Sequence, residues 1–302
     1  ESIEWSFEFL TKTLGIPVDR LAVTVYAGEG DIPFDEVSYN KWKSLGISED
    51  RIAKTVEDNF WIAGESGPCG PDTEIFYFRS NDKVPEVFDP SDERWVEIWN
   101  NVFMEFMKDK DGNISLLPKQ NVDTGMGVER TTAVLEGVLD NYKSSIWSDV
   151  IDLISNISGL PYEGNQKSMR IIADHIRTAV FISADPAGIK PSNTDQGYIL
   201  RRLIRRAIRH AKSLGIDEFS DWEQQIARII INKYKSYYKE LEENESIVLE
   251  VLRDEKERFS KTLVKGLREF EKVVNNSKLI DGESAFHLYD TYGFPIELTI
   301  EL

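Results

Sequence analysis

Nine residues, VDTGMGVER at 122–130, bring together an acid, two glycines and an arginine. Asp123 can pair with the ammonium group of a ligand, and Gly125 and Gly127 let a ligand approach the backbone. Arg130 adds a flat, permanently charged guanidinium able to stack on an adenine ring. Spacing alone is equally met by a glycine-rich strand-to-helix turn with a surface arginine. A second cluster lies further along: Arg201, Arg202, Arg205, Arg206 and Arg209 recur at i, i+1, i+4, i+5 and i+8. That spacing puts them on one broad helical face, with Leu203, Ile204 and Ile208 elsewhere. Such a stripe can grip phosphates, or it can pair with the chain's own surplus carboxylates.

The elements that position these groups fall into two parts. A helix is expected over Ser2–Leu14, stopped by Gly15 and Pro17, then a strand at Leu21–Tyr26 and a helix near Phe34–Leu45. The pair Phe60 and Trp61 precedes a glycine and proline loop, Gly64–Pro71, that delivers the strand TEIFYF. A strand at Glu97–Phe106 alternates faces, and Asp111-Gly112-Asn113 is a hairpin turn leading into Ile114–Leu117. These strands predict an antiparallel sheet. Beyond a boundary near Asp140 the pattern is helical, near Ser145–Ser158, Lys167–Ala184 and Gln196–Leu214. A charged stretch, Trp222–Val274, contains Gly266, is expected to break into more than one helix, and buries Ile247, Val251, Leu252 and Phe259. The fold class is therefore α+β, with residues 1–140 forming the sheet domain and 141–302 an all-helical one.

Composition narrows the function. The 302 residues carry 36 Lys and Arg against 53 Asp and Glu, a formal charge of −17, which argues against a general nucleic-acid coat and restricts RNA contact to a local patch. No apolar run reaches the roughly 20 residues of a membrane span. The start ESIEWSFEFL does not look like a signal or transit peptide, so a cytoplasmic protein is expected. Cys69 is the only cysteine, in a turn and best read as structural, and His175, His210 and His287 lack metal-ligand spacing, so no zinc is expected.

VDTGMGVER resembles motif 3 of the alanyl-tRNA synthetases, a class II family. NFWIAGESGPCGPDTEIFYF, EIWNNVFMEF, ADHIRTAVFISAD, PSNTDQGYILRRLIRRAIRH and HLYDTYGFP resemble other segments of that family in the same order, together covering most of the chain. The resemblance implies a class II antiparallel sheet with flanking helices, followed by a helical tRNA-recognition domain. It implies an alanine–tRNA ligase that uses ATP and Mg²⁺ to activate alanine and passes it to the 3′ end of its tRNA, with no protein nucleophile. Asp123 would hold the alanine ammonium. Trp61 and Val102 would wall a small pocket with Asn100 and Gly125 beside them, although core packing also accounts for Trp61 and Val102. An apolar wall rejects an added hydroxyl poorly, so serine would be misactivated. Arg130 would cover the adenine, with Gly125 and Gly127 near the ATP. Magnesium would take a carboxylate, Glu97 first and Glu74 second, unless these are ordinary strand-face acids.

For RNA, the resemblance puts Asn193 and Asp290 at a G·U wobble pair of the tRNA acceptor stem, and the arginine stripe on its phosphates. A helix cap and a turn acid are the plain alternatives for Asn193 and Asp290. No counterpart of motifs 1 and 2 is found in residues 1–60, and the chain reaches Leu302 before an editing domain. A truncated chain, a split synthetase with a separate N-terminal chain, and a non-catalytic tRNA-binding module each fit, in that order.

Overall fold

Alternating apolar residues build one sheet, and helical periodicity takes over after it. The computed structural model describes residues 1–276, 280–292, 294 and 296–301. It divides into two compact units, Glu1–Ile146 and Trp147–Leu302. The second begins a few residues beyond the expected boundary near Asp140.

In the first unit, β1 (Leu21–Tyr26), β2 (Ile52–Thr55), β3 (Phe60–Ile62), β4 (Gly67–Phe78), β5 (Trp95–Lys108) and β6 (Ile114–Met126) form a sheet ordered β2-β1-β4-β5-β6, with β3 also on β4. All pairings are antiparallel except β1 with β2. Every residue of β1 is buried because both faces are covered: Leu21, Val23 and Val25 join a core with Trp42, Ile75 and Ile98, while Ala22 joins Phe78, Phe88 and Trp95. β6 is the outermost strand and exposed along nearly all its length.

Several expectations need correction here. The first helix is α-helical only over α1 (Ser2–Glu8), then widens into a π-helical turn at Phe9–Thr13. The Thr11 hydroxyl donates to the Phe7 carbonyl at 2.7 Å, and Leu14 N–H bonds back to Phe9 at 2.9 Å. The wider turn buries Leu10 and sets Phe9 edge-on to Trp99 at 5.9 Å. The second helix, α2 (Glu36–Ser44), starts two residues late because Asp35 caps it, accepting from Ser38 N–H. The Gly64–Pro71 stretch is not wholly loop, since β4 begins at Gly67. A Cβ on Gly70 would lie 1.9 Å from the Phe103 carbonyl oxygen, so glycine there permits the close approach of β5 at its bulge. The hairpin turn is as expected: Asp109 accepts from the Asp111 and Asn113 N–H groups, and Gly112 takes φ +87°. The strand after it runs to Met126 rather than Leu117, followed by α3 (Val128–Leu135).

The second unit is helical: α4 (Ser148–Ser158), α5 (Gln166–Ala184), α6 (Asp195–Ser213), α7 (Trp222–Tyr234), α8 (Lys239–Glu243), α9 (Glu245–Asn276), α10 (Gly282–Tyr292) and α11 (Ile296–Glu301). The long charged stretch breaks between Tyr234 and Glu245. Gly266 does not interrupt α9; it lets Phe294 press against the helix, where a Cβ would meet that ring at 2.3 Å. Val251, Leu252 and Phe259 are buried as expected, whereas Ile247 is 43% exposed. Gly293 and Pro295 of HLYDTYGFP lie outside the described residues. No helix among the described residues is long and apolar enough to cross a membrane.

Candidate active site and nucleic-acid interface

Strand register assembles the site of the first unit. Asp72, Val102 and Asp123 are opposed across β4, β5 and β6, and Glu74, Asn100 and Gly125 form the neighbouring row. Opposed residues and those two apart share a face, so these six side-chain positions lie on one side of the sheet. Trp61 of β3 is opposite Gly70, which alternation places on that same side. The other side carries Asn101 and Thr124 and is tied to α1: Ser2 donates to Asn101 at 2.6 Å, and Asn101 to Ser6 at 3.2 Å. The expected alanine-site residues Trp61, Asn100, Val102, Asp123 and Gly125 are thus brought to one face. Val102 is buried and Asp123 and Gly125 are exposed, and a Cβ on Gly125 would meet nothing within 4 Å.

Beside that row is an acidic patch. Asp72 is only 2% exposed, and burial pushes its carboxyl up to about 6, against the hydrogen bonds from Asn100 and Asn59 that favour the charged form. Glu74 is pushed up to about 8, first by burial and then by the nearby charges of Glu97 and Asp72. The Glu74 side chain accepts from the Thr24 hydroxyl at 3.1 Å, and Thr24 accepts in turn from Asn59 at 2.8 Å. Arg130, on the first turn of α3, reaches back to β5 and bonds both the carboxylate of Glu97, at 2.7 Å, and its carbonyl oxygen, at 2.9 Å. Just before that helix the Gly127 N–H bonds Ile98 O at 2.9 Å, and a Cβ there would make ordinary contact with the Arg130 stem. Arg130 and Glu97, assigned separately to adenine and to magnesium, are therefore a pair.

Sequence reasoning missed Asp72, Thr24 and Asn59. An acid inside the apolar run GPCGPDTEIFYF, where burial needs a partner, is the signal that could have found Asp72. Cys69 is fully buried, and burial pushes its thiol up, as befits a packing residue.

Part of the arginine face in the second unit pairs within the chain, the second of the two readings its spacing allows. Arg205 Nε is 2.6 Å from Glu255, an acid of α9 whose side chain is 1% exposed, and Arg201 Nε lies 3.6 Å from the same oxygen. Arg205 also stacks on Phe259 at 5.0 Å. Arg206 donates to His175 Nε2 at 2.8 Å, which leaves His175 Nδ1 to donate to Asp174 at 2.9 Å. Arg209 donates to His210 at 3.2 Å, and Arg202 lies 6.0 Å from the Tyr198 ring. The pairing has a physical reason: α6 packs on α5 and α9, so part of its cationic face meets buried acceptors. Asn193 remains exposed on the loop before α6, its side-chain oxygen accepting from Arg201. It does not cap the helix. That loop folds back tightly, since a Cβ on Gly197 would lie 2.4 Å from Lys190 O. Asn193 shares a groove with Tyr198, Phe286 and Tyr289, and Asp290 is exposed on α10 next to Tyr289.

A mixed, mostly antiparallel sheet with a glycine-bounded arginine helix, followed by a helical region, defines the class. The family described as "tRNA synthetases class II (A)" matches residues 1–302, and the chain belongs to it. Among curated relatives the chain is similar to the alanine–tRNA ligase of Treponema denticola, 51% identical over 316 residues, covering all of the chain and 52% of that protein. It is 46% identical to that of Borrelia hermsii, again over all of the chain and 52% of the relative. To that of Anaeromyxobacter dehalogenans it is 39% identical, over 99% of the chain and 36% of the relative. The chain spans about half the length of the first relatives and less of the third.

Proposed function

We propose that this chain belongs to an alanine–tRNA ligase, carrying in its first unit the alanine-binding face and part of the ATP site, and in its second the groove that reads the tRNA acceptor stem. The observation that carries the reading is the row of Asn100, Val102, Asp123 and Gly125, set by strand register beside the Arg130–Glu97 pair. Asp123 holds the alanine ammonium. Val102 limits side-chain volume from below, Trp61 borders the same face, and the open Gly125 position leaves room for the substrate. With the amine fixed, an oxygen of the alanine carboxylate bonds to the α-phosphorus of ATP as the bond to pyrophosphate breaks. A terminal ribose hydroxyl of the tRNA then bonds to the alanyl carbonyl carbon, and AMP leaves. No protein nucleophile is needed, so positioning and electrostatics carry the acceleration.

Arg130 covers the adenine once ATP is present, moving from or sharing its contact with Glu97. Glu97 and Glu74 fit a divalent cation. Their repulsion, which helps keep Glu74 protonated, is relieved by positive charge, and Mg²⁺ takes only one or two protein carboxylates while phosphates and water complete its shell. When bound, Mg²⁺ supplies neutralisation of the phosphate charge. On the RNA side, Asn193 and Asp290 read the G·U wobble pair through base-edge donors and acceptors. Arg201, Arg202, Arg205, Arg206 and Arg209 contribute positive field, Arg201 and Arg205 mainly by shaping the helix.

The test is alanine-dependent ATP–pyrophosphate exchange by this chain, alone and mixed with the remainder of the synthetase as a separate polypeptide. Exchange in the mixture that Asp123→Ala abolishes, with tRNA affinity unchanged, supports the reading. No exchange in either, with tRNA still bound, replaces it with a non-catalytic tRNA-binding module.

A further inference from the structure

Asp72 poses a chemical question that the alanine site as described leaves open. It is an acid held at 2% exposure in the middle of the sheet, on the row of Val102 and Asp123. Burying a carboxylate is unfavourable, and packing β4 against β5 does not require one. Its closest polar contact is specific: the Asn100 amide nitrogen donates to Asp72 Oδ2 at 2.6 Å. The other end of that amide, Asn100 Oδ1, is buried and has no hydrogen-bond partner among the described residues. A carboxylate accepts and does not donate, so it holds the nitrogen end of Asn100 and turns the oxygen end away from itself. A neutral hydroxyl or amide at position 72 could meet either end. Asn100 lies opposite the open Gly125, one row from Asp123.

We propose that Asp72 is a positioning residue of the amino-acid site, orienting the Asn100 amide so that its carbonyl oxygen accepts a hydrogen bond from the substrate ammonium alongside Asp123. This rests on the alanine reading of the site. An ammonium only donates, so it needs acceptors on each side. Asp123 supplies one and the oriented Asn100 oxygen another, while a flipped amide would present N–H groups to a cation. The Asp72 charge also lies behind that amide, and the low-dielectric surroundings strengthen its attraction for a positive group.

The experiment measures alanine-dependent ATP–pyrophosphate exchange by the full-length enzyme carrying Asp72→Asn, Asn100→Asp, or both. The isosteric Asp72→Asn lets the Asn100 amide face either way, and KM for alanine should rise roughly 10- to 100-fold, the usual effect of losing a hydrogen bond to a charged group, with kcat and KM for ATP within about twofold. Asn100→Asp alone opposes two carboxylates and should bind alanine as weakly. The double variant restores one donor facing one acceptor-only group and should recover most of the alanine KM. An unchanged alanine KM in Asp72→Asn would overturn the proposal. So would a parallel fall in kcat, ATP binding and thermal stability without recovery in the double variant, which marks Asp72 as a packing residue. Wild-type enzyme without alanine-dependent exchange would instead overturn the alanine reading, and the proposal with it.

Discussion

Both units bury charge, and they do so in opposite ways. In the first, buried Asp72 and half-buried Glu74 lie near each other and near Glu97, like charge beside like charge. In the second, the buried acids among the described residues lie beside cations: Glu255 by Arg205 and Arg201, and Glu223 by Lys256 at 2.8 Å. Paired burial satisfies the chain itself. Like-charge burial opposes folding, and clusters of this kind are concentrated at functional sites. The first unit thus holds like charges close together, while the second places its buried acids beside cations of its own chain.

The sharpest way to break this contrast is Glu255→Ala. It strands the largely buried Arg205 guanidinium, and the second unit should lose about 3–5 kcal/mol in denaturant unfolding. A loss under about 1 kcal/mol would show that the pair is not what closes α6 onto α9. Next comes Glu74→Gln. A carboxyl whose folded value is raised from 4.5 to about 8 keeps its proton when the unfolded chain has lost it, so the folded state is favoured less as pH rises between those values. Thermal melts of the first unit should fall from pH 5 to pH 9, by on the order of 2 kcal/mol after allowing for solvent at a partly exposed group. Glu74→Gln should flatten that slope, and an unaltered slope would remove Glu74 from the account. Asn193→Ala should reduce discrimination between G·U and G·C acceptor stems by roughly 1–2 kcal/mol with stability unchanged, read by competition binding. Equal weakening on both stems would make Asn193 a loop residue only. Least of all, Arg130→Ala should cost under about 1 kcal/mol of stability because its pair with Glu97 is half exposed, while pyrophosphate exchange collapses.

Periodicity made α5 and α6 legible almost to the residue, because they carry long apolar stripes between clear stops. The sheet was less so. Register, not composition, puts Asn100 opposite Gly125, and no local rule separates the loop-like GPCGP from the strand it begins. VDTGMGVER pointed to the site because its chemistry is contiguous. Thr24 and Glu74 meet across strands 50 positions apart in the chain, a juxtaposition only folding supplies. The arginine helix shows the reverse limit: spacing gave the face, but the partners come from α5 and α9.

The outermost strand, β6, has a practical consequence. Its thirteen residues present an open row of peptide groups with Ile114, Leu116 and Val122 standing in solvent. An exposed rim recruits copies of itself and seeds aggregates, and β6 breaks its register with β5 between Leu116 and Asn121. Pro118 lacks a donor and Lys119 carries a charge midway along it, so a second chain cannot zip up the whole length. Two adjacent side chains thus interrupt that rim, and replacing both with valine should raise this chain's tendency to aggregate.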